Sequence, residues 1–160
     1  MYDGTELWKS RLAFELEKRE YNGKEYVTYT GLPDNFYVSM AETAAAYPDK
    51  VCIVDDDGTA ITFREFLDMV DQLADYLFLE ERVREGDHIA LMMFNCREFC
   101  AAFAALIKLG VMVQPLPSKF KQKEILSLLE KADCRMVICD SAFTSWMEPL
   151  REGGVKVLES

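Results

Sequence analysis

The chain has 160 residues, 50% of them hydrophobic, with 18 basic against 28 acidic side chains and a formal charge of −10. That much apolar matter can fill one core, which excludes a disordered chain, and the acidic balance repels phosphate backbones and anionic membranes, which argues against nucleic acid as a partner. No basic start leads into an apolar leader, and no apolar run approaches the ~20 residues of a membrane span, so a cytoplasmic protein without a membrane span is expected.

In chain order, Thr5 to Glu20 reads as an amphipathic helix, with Leu7, Trp8, Leu12 and Leu16 on one side and Tyr21-Asn22-Gly23 stopping it. Tyr26 to Thr30 is rich in β-prone residues and reads as an extended arm or short strand, followed by a turn at Gly31-Leu32-Pro33-Asp34. Ser39 and Glu42 have the spacing of a capping box, in which each side chain bonds the other's backbone amide. A short helix is expected from there through Ala46, covering one sheet edge. Val51 to Val54 and Ala60 to Thr62 flank Asp55-Asp56-Asp57-Gly58, an Asp-Gly hairpin signal. Thr62 and Glu65 form a further capping box, opening a long helix whose apolar stripe is Phe63, Phe66, Leu67, Val70, Leu73, Ala74, Leu77 and Phe78.

The stretch from His88 to Pro117 organises the rest. His88 to Phe94 is the nearly unbroken apolar run of a strand buried on both faces. Asn95 and Glu98 give a capping box with the helix starting at Cys96, and Phe99, Phe103, Leu106 and Ile107 recur at helical spacing among small residues. Gly110 supplies the left-handed cap, Val111 to Val113 the next strand, and the prolines at 115 and 117 its end. The unit is strand, crossover helix, parallel strand, right-handed by the general rule for such crossovers. Lys121 to Ala132 repeats the helix, Met136 to Cys139 the strand. Asp140 or Ser141 can cap a short helix broken at Pro149, before a fourth strand at Val155 to Leu158.

These residues resemble the N-terminal region of the adenylate-forming (AMP-binding) enzymes, most of all the acyl-CoA synthetases. The likeness rests on Gly86-Asp87-His88-Ile89-Ala90-Leu91, Asn95 to Phe99, Ala105 to Val111 and Gln114-Pro115-Leu116, with Tyr47 to Val51 and Ile61 to Phe66 upstream and Glu124 to Ile138 downstream. It spans about Val38 to Asp140. Phe94 and Arg97 stand where the family often has prolines, and Pro117-Ser118 where Asn-Pro is frequent. The resemblance implies an α/β fold: a partial domain with a mostly parallel sheet flanked by helices on both faces, plus a short β-hairpin. Residues 1–37 would be an N-terminal helix and arm. Residues 38–160 would be the first α/β part of the synthetase domain, truncated before the phosphate-binding loop.

The family holds ATP phosphates in a Ser/Thr- and Gly-rich loop ending in lysine, and this sequence contains none: Gly153-Gly154 lacks the hydroxyl run and the following helix. No catalytic, cofactor-binding or metal residue is therefore assigned. The single histidine, His88, could be a general base but begins a strand without an evident partner and reads as structural. Cys52, Cys96, Cys100, Cys134 and Cys139 are an odd number scattered through apolar elements. Cys96 and Cys100, one turn apart, could ligate a metal, but without a nearby histidine the thiols read as reduced and buried. Asp55, Asp56 and Asp57 lack the glutamate of a calcium loop and read as a solvated hairpin tip. Asn95 lies where open α/β sheets bind ligands, outside the carboxyl end of a strand, though a capping role accounts for it. The Phe and Ala stripe of the central helix could wall an acyl tunnel, but reads as core.

Two functions stay open. By the resemblance, the chain would be the N-terminal fragment of an ATP-dependent acid–CoA ligase, expected to be inactive alone, whose partners are the remainder of the synthetase and, in the parent, a carboxylic acid and CoA; ATP, Mg and CoA are implied for the parent and no cofactor for this chain. Alternatively it is a stand-alone α/β binding module without catalysis, docking a partner or forming a homodimer through an exposed edge.

Overall fold

The computed structural model describes residues 16–160, in two compact units that divide after Asp34. In the first unit, β1 (Leu16–Tyr21) pairs antiparallel with β2 (Lys24–Tyr29). The expected first helix lies outside the described residues up to residue 15, and its last turn is corrected: Leu16 to Glu20 is strand. Asn22 and Gly23 both have positive φ, 52° and 72°. That is the backbone of the two-residue hairpin turn favoured by Asn-Gly, so Asn22-Gly23 turns a strand back where it was expected to end a helix.

The second unit begins with α1 (Phe36–Ala46), capped by Asn35, whose Oδ1 accepts the Val38 amide at 3.0 Å. The expected box at Ser39 and Glu42 therefore lies inside the helix. Its Tyr37 hydroxyl donates to Asp71 at 2.9 Å, Lys108 donates to the same carboxylate oxygen at 2.9 Å, and Phe36 meets Phe103 edge to face. These contacts bind it to two later helices. β3 (Val51–Val54) and β4 (Ala60–Thr62) form the expected hairpin, with Gly58 at φ 82° in the turn. Helix α2 (Phe63–Leu79) follows directly, and its reciprocal box is present: Thr62 Oγ1 accepts the Glu65 amide at 3.3 Å and Glu65 accepts the Thr62 amide at 2.8 Å.

The main sheet is parallel, ordered β6–β5–β7–β8. Its strands are β5 (His88–Met92), β6 (Met112–Pro115), β7 (Met136–Cys139) and β8 (Lys156–Glu159). Pro115 ends the edge strand β6, where its missing N–H breaks no ladder. Alternation assigns the two faces. Ile89, Leu91, Met93, Met136 and Ile138 pack beneath α2 and α3 (Arg97–Lys108), whose Ala101, Ala102, Ala104 and Ala105 allow close approach. Ala90, Met92, Val137 and Cys139 pack on the other face against Ile125 and Leu129 of α4 (Gln122–Lys131) and against Phe143 and Met147. The latter two come from α5 (Ser141–Thr144) and the 3-10 turn after it, ahead of α6 (Glu148–Glu152). Helices thus flank both faces of a parallel sheet, which is why its central strands are continuously apolar.

Candidate functional site

The carboxyl edge of this sheet is where the chain path changes sides. From β5 the chain runs through α3 to β6 on one flank, and from β7 through α5 and α6 to β8 on the other. Ligands of open α/β sheets collect at such a switch. A crevice of about 390 Å³ opens beside it, walled by Met93 to Asn95, Phe99 and Pro115 to Lys119. Asp140 is its anchor. One carboxylate oxygen accepts the Phe94 amide at 2.6 Å, the other accepts the Ser160 hydroxyl at 3.1 Å, and the Asp140 amide donates to the Met92 carbonyl at 3.1 Å. One residue therefore joins the ends of β5, β7 and β8. It holds Phe94 52% exposed, with its ring 5.0 Å from that of Phe143.

Asn95 lies at this edge, but it is not the helix cap. Cys96 takes that position with an extended backbone, and its Sγ accepts the Phe99 amide at 3.4 Å. Helix α3 starts at Arg97, one residue later than expected. Glu98 does not reach back: it accepts from Arg97 Nε at 2.8 Å, and that guanidinium holds its carboxyl below the usual range. Asn95 is exposed, and its side-chain amide makes no hydrogen bond among the described residues.

The other candidates lie elsewhere. His88 is at the opposite, amino edge, where Nδ1–H donates to the Ala132 carbonyl at 2.6 Å; it has the partner that sequence alone did not reveal. Among Asp55 to Asp57, Asp57 accepts the Thr59 amide at 2.8 Å, a bond that lowers its pKa, and Asp55 pairs with Arg97 at 3.4 Å. Among the described residues no group of three His, Cys, Asp or Glu side chains could hold a metal ion. The thiols are all free, but not all are buried: Cys134 and Cys139 are, Cys52 and Cys96 are half-buried, and Cys100 is exposed. Burial is the main cause that raises the pKa of each. The stripe of α3 divides by size, its alanines buried on the sheet while Phe99 and Phe103 stay partly exposed along a second groove. Gly154, at φ 88°, turns the chain from α6 towards β8.

The crevice does not by itself fit a nucleotide triphosphate. Among the described residues Lys119 is the single cation on its wall, and no Gly-rich loop of backbone amides faces it. Asp140 and Phe94 are the residues sequence reasoning missed. Asp140 was read as a possible helix cap, and Phe94 as the last residue of a strand.

A family model described as AMP-binding enzyme matches residues 40–158. The medium-chain fatty-acid–CoA ligase of Escherichia coli K12 is 28% identical over 102 residues, covering 64% of this chain and 18% of the ligase. The 2-succinylbenzoate–CoA ligase of Oceanobacillus iheyensis is 29% identical over 121 residues, covering 76% and 25% respectively. The chain thus spans a quarter or less of these relatives. Among solved structures, the N-terminal domain of FACL13 from Mycobacterium tuberculosis has the same fold, with a TM-score of 0.74 at 21% identity over 80% of this chain and 34% of that one. The Bacillus subtilis o-succinylbenzoate–CoA synthetase, solved with its acyl-adenylate intermediate, gives 0.67 at 26% identity over 74% and 30%. With the parallel sheet, its two helical layers and a match over most of its length, this chain belongs to the AMP-binding enzyme family, as an N-terminal, acyl-CoA synthetase-like α/β region.

Proposed function

We propose that these residues are the N-terminal scaffold of an ATP-dependent acid–CoA ligase. Its whole form converts a carboxylate to an acyl adenylate with loss of pyrophosphate, then to the acyl-CoA. The observation that carries the reading is the family match over residues 40–158, supported by relatives that ligate medium-chain fatty acids or 2-succinylbenzoate to CoA. ATP, Mg and CoA are then ligands of the whole enzyme, fatty-acid metabolism its setting, and the cytoplasm its compartment. Residues 38–160 are its first α/β part, and their own task is to present a rigid carboxyl edge, with Asp140 fixing the loops after β5, β7 and β8.

The test is acid-dependent exchange of pyrophosphate into ATP, measured on the 160-residue protein and on the product of the longest reading frame that contains it. Exchange by the longer product with a fatty or aryl acid, and none by the 160 residues, is the expected result. Exchange by the short chain would overturn the scaffold assignment. Its absence from a longer product across both acid classes would overturn the ligase assignment.

A further inference from the structure

Away from the carboxyl edge, α1, β3, α2 and α3 enclose a groove of about 400 Å³, towards the small end of the roughly 300–1,000 Å³ typical of ligand sites. Its walls are rings. Phe103 meets Phe36 edge to face at 6.4 Å and stacks with Phe99 at 6.3 Å, while Phe63 and Phe66 of α2 also line the cavity. Among the described residues no acidic or basic side chain lines this groove. Two of its polar side chains are engaged within the protein. The Thr43 hydroxyl donates to the Ser39 carbonyl at 2.9 Å within α1, and the Cys52 thiol to the Ile61 carbonyl at 3.4 Å. The exposed Cys100 lies on the lining.

We propose that this groove binds a small, neutral, aromatic molecule. Rings of the lining supply offset and edge-to-face partners for another ring, which are worth more than apolar area alone. Charge selects against the alternative. A carboxylate or phosphate placed here would lose water and find no cation among the described lining residues, and burying an unpaired ion is far costlier than burying a neutral ring. The occupant is therefore not the acid of the proposed reaction with its carboxylate inside. The inference does not rest on the ligase reading. Phe99 belongs to both this groove and the carboxyl-edge crevice, so the two cavities share one side chain.

The probe is N-phenyl-1-naphthylamine, whose emission rises in apolar sites, titrated into the 160-residue protein, with iodoacetamide alkylation of each cysteine followed by peptide mass spectrometry. Saturable emission is expected, and Cys100 alkylation should slow about tenfold at a probe concentration near ten times Kd. Alkylation of the half-buried Cys96, which caps α3 and does not line the groove, should change less than about twofold by the same mass action and serves as the internal reference. The sulfonated analogue 8-anilino-1-naphthalenesulfonate should bind at least about tenfold more weakly. Cys100→Trp fills the groove and should abolish the emission change; if that variant is unfolded by circular dichroism, Ser39→Phe serves in its place. Four results would overturn the proposal: no saturable emission, equal protection of Cys96 and Cys100, anion binding as tight as neutral binding, or a folded, filled variant that binds like the parent.

Discussion

Replacing Lys156 by alanine removes the cation that covers Glu81, the one buried charged side chain among the described residues at 7% exposure. The Lys156 ammonium faces Glu81 Oε2, which has no hydrogen-bond donor in line and depends on that ion pair, while the Tyr76 hydroxyl donates to Oε1 at 2.7 Å. Arg135 reinforces the same corner. It donates to the Glu81 carbonyl at 2.8 Å and pairs with Asp87 at 2.9 Å. The end of α2 is thereby tied to the amino ends of β7 and β8. Stranding a fully buried partner costs about 3–5 kcal/mol and breaking an exposed pair about 0–1 kcal/mol. Lys156 is 51% exposed over a carboxylate that is covered, which places Lys156→Ala at ~1–2 kcal/mol. In a chain of this size that lowers Tm by about 2–8 °C.

The pH dependence tests the cause. First the Lys156 ammonium and then the Tyr76 hydroxyl hold the Glu81 carboxyl below its ordinary value of 4.5. A depressed carboxylate contributes stability that is fully present above that ordinary value and is lost as pH falls through the folded one. The difference between the parent and Lys156→Ala should therefore be largest near neutrality and shrink as the pH falls below the ordinary value and through the lowered folded one. Urea unfolding of both proteins at neutral and acid pH measures it, and amide exchange should show β8 opening more readily in the variant. A gap that stays constant on acidification would refute the ion-pair account and leave only the packing of the lysine stem.

Other positions give equally definite outcomes. Thr62→Ala removes the acceptor for the Glu65 amide at the start of α2 and should cost about 1 kcal/mol by thermal unfolding, with Thr62→Ser close to the parent. Gly110 has φ 71°, and a Cβ there would stand 2.8 Å from Glu85 Cγ, so Gly110→Ala should destabilise by more than about 1 kcal/mol in urea. Leu91→Ala empties a fully buried position under α2 and α3 and should cost about 2–5 kcal/mol. Asp140→Ala leaves the Phe94 amide without its acceptor; exchange at Phe94 should accelerate while the Tm falls only by a few degrees.

The parallel sheet was legible because doubly buried strands must be continuously apolar, and Ile89 to Met92 and Met136 to Cys139 are. The Asp-Gly hairpin and the Thr62–Glu65 box were legible because each is a complete local interaction. Failures arose where two local patterns shared the same residues. Leu12 and Leu16 fit a helical spacing, yet Leu16–Tyr21 is paired strand, a choice made by the Asn22-Gly23 turn and the partner it brings back. Ser39 and Glu42 had the spacing of a cap, but Asn35 starts the helix earlier and places Phe36 and Tyr37 against α3 and α2. Asn95 and Cys96 competed for one cap, and the thiol took it. The anchoring by Asp140 could not be read at all. Its partners Phe94 and Ser160 lie 46 and 20 residues away and meet it only once the strands are in register. The aromatic groove was hidden for a like reason, since its walls come from four separate elements.

The central claim, that these residues are the N-terminal part of an acid-activating ligase, is tested most directly by reading the source DNA beyond the codon for Ser160. The account predicts that the frame continues into a Ser/Thr- and Gly-rich loop ending in lysine, the phosphate cradle this chain lacks. An immediate stop codon would contradict it, and the domain would then have to be understood as a binding module on an adenylate-forming fold.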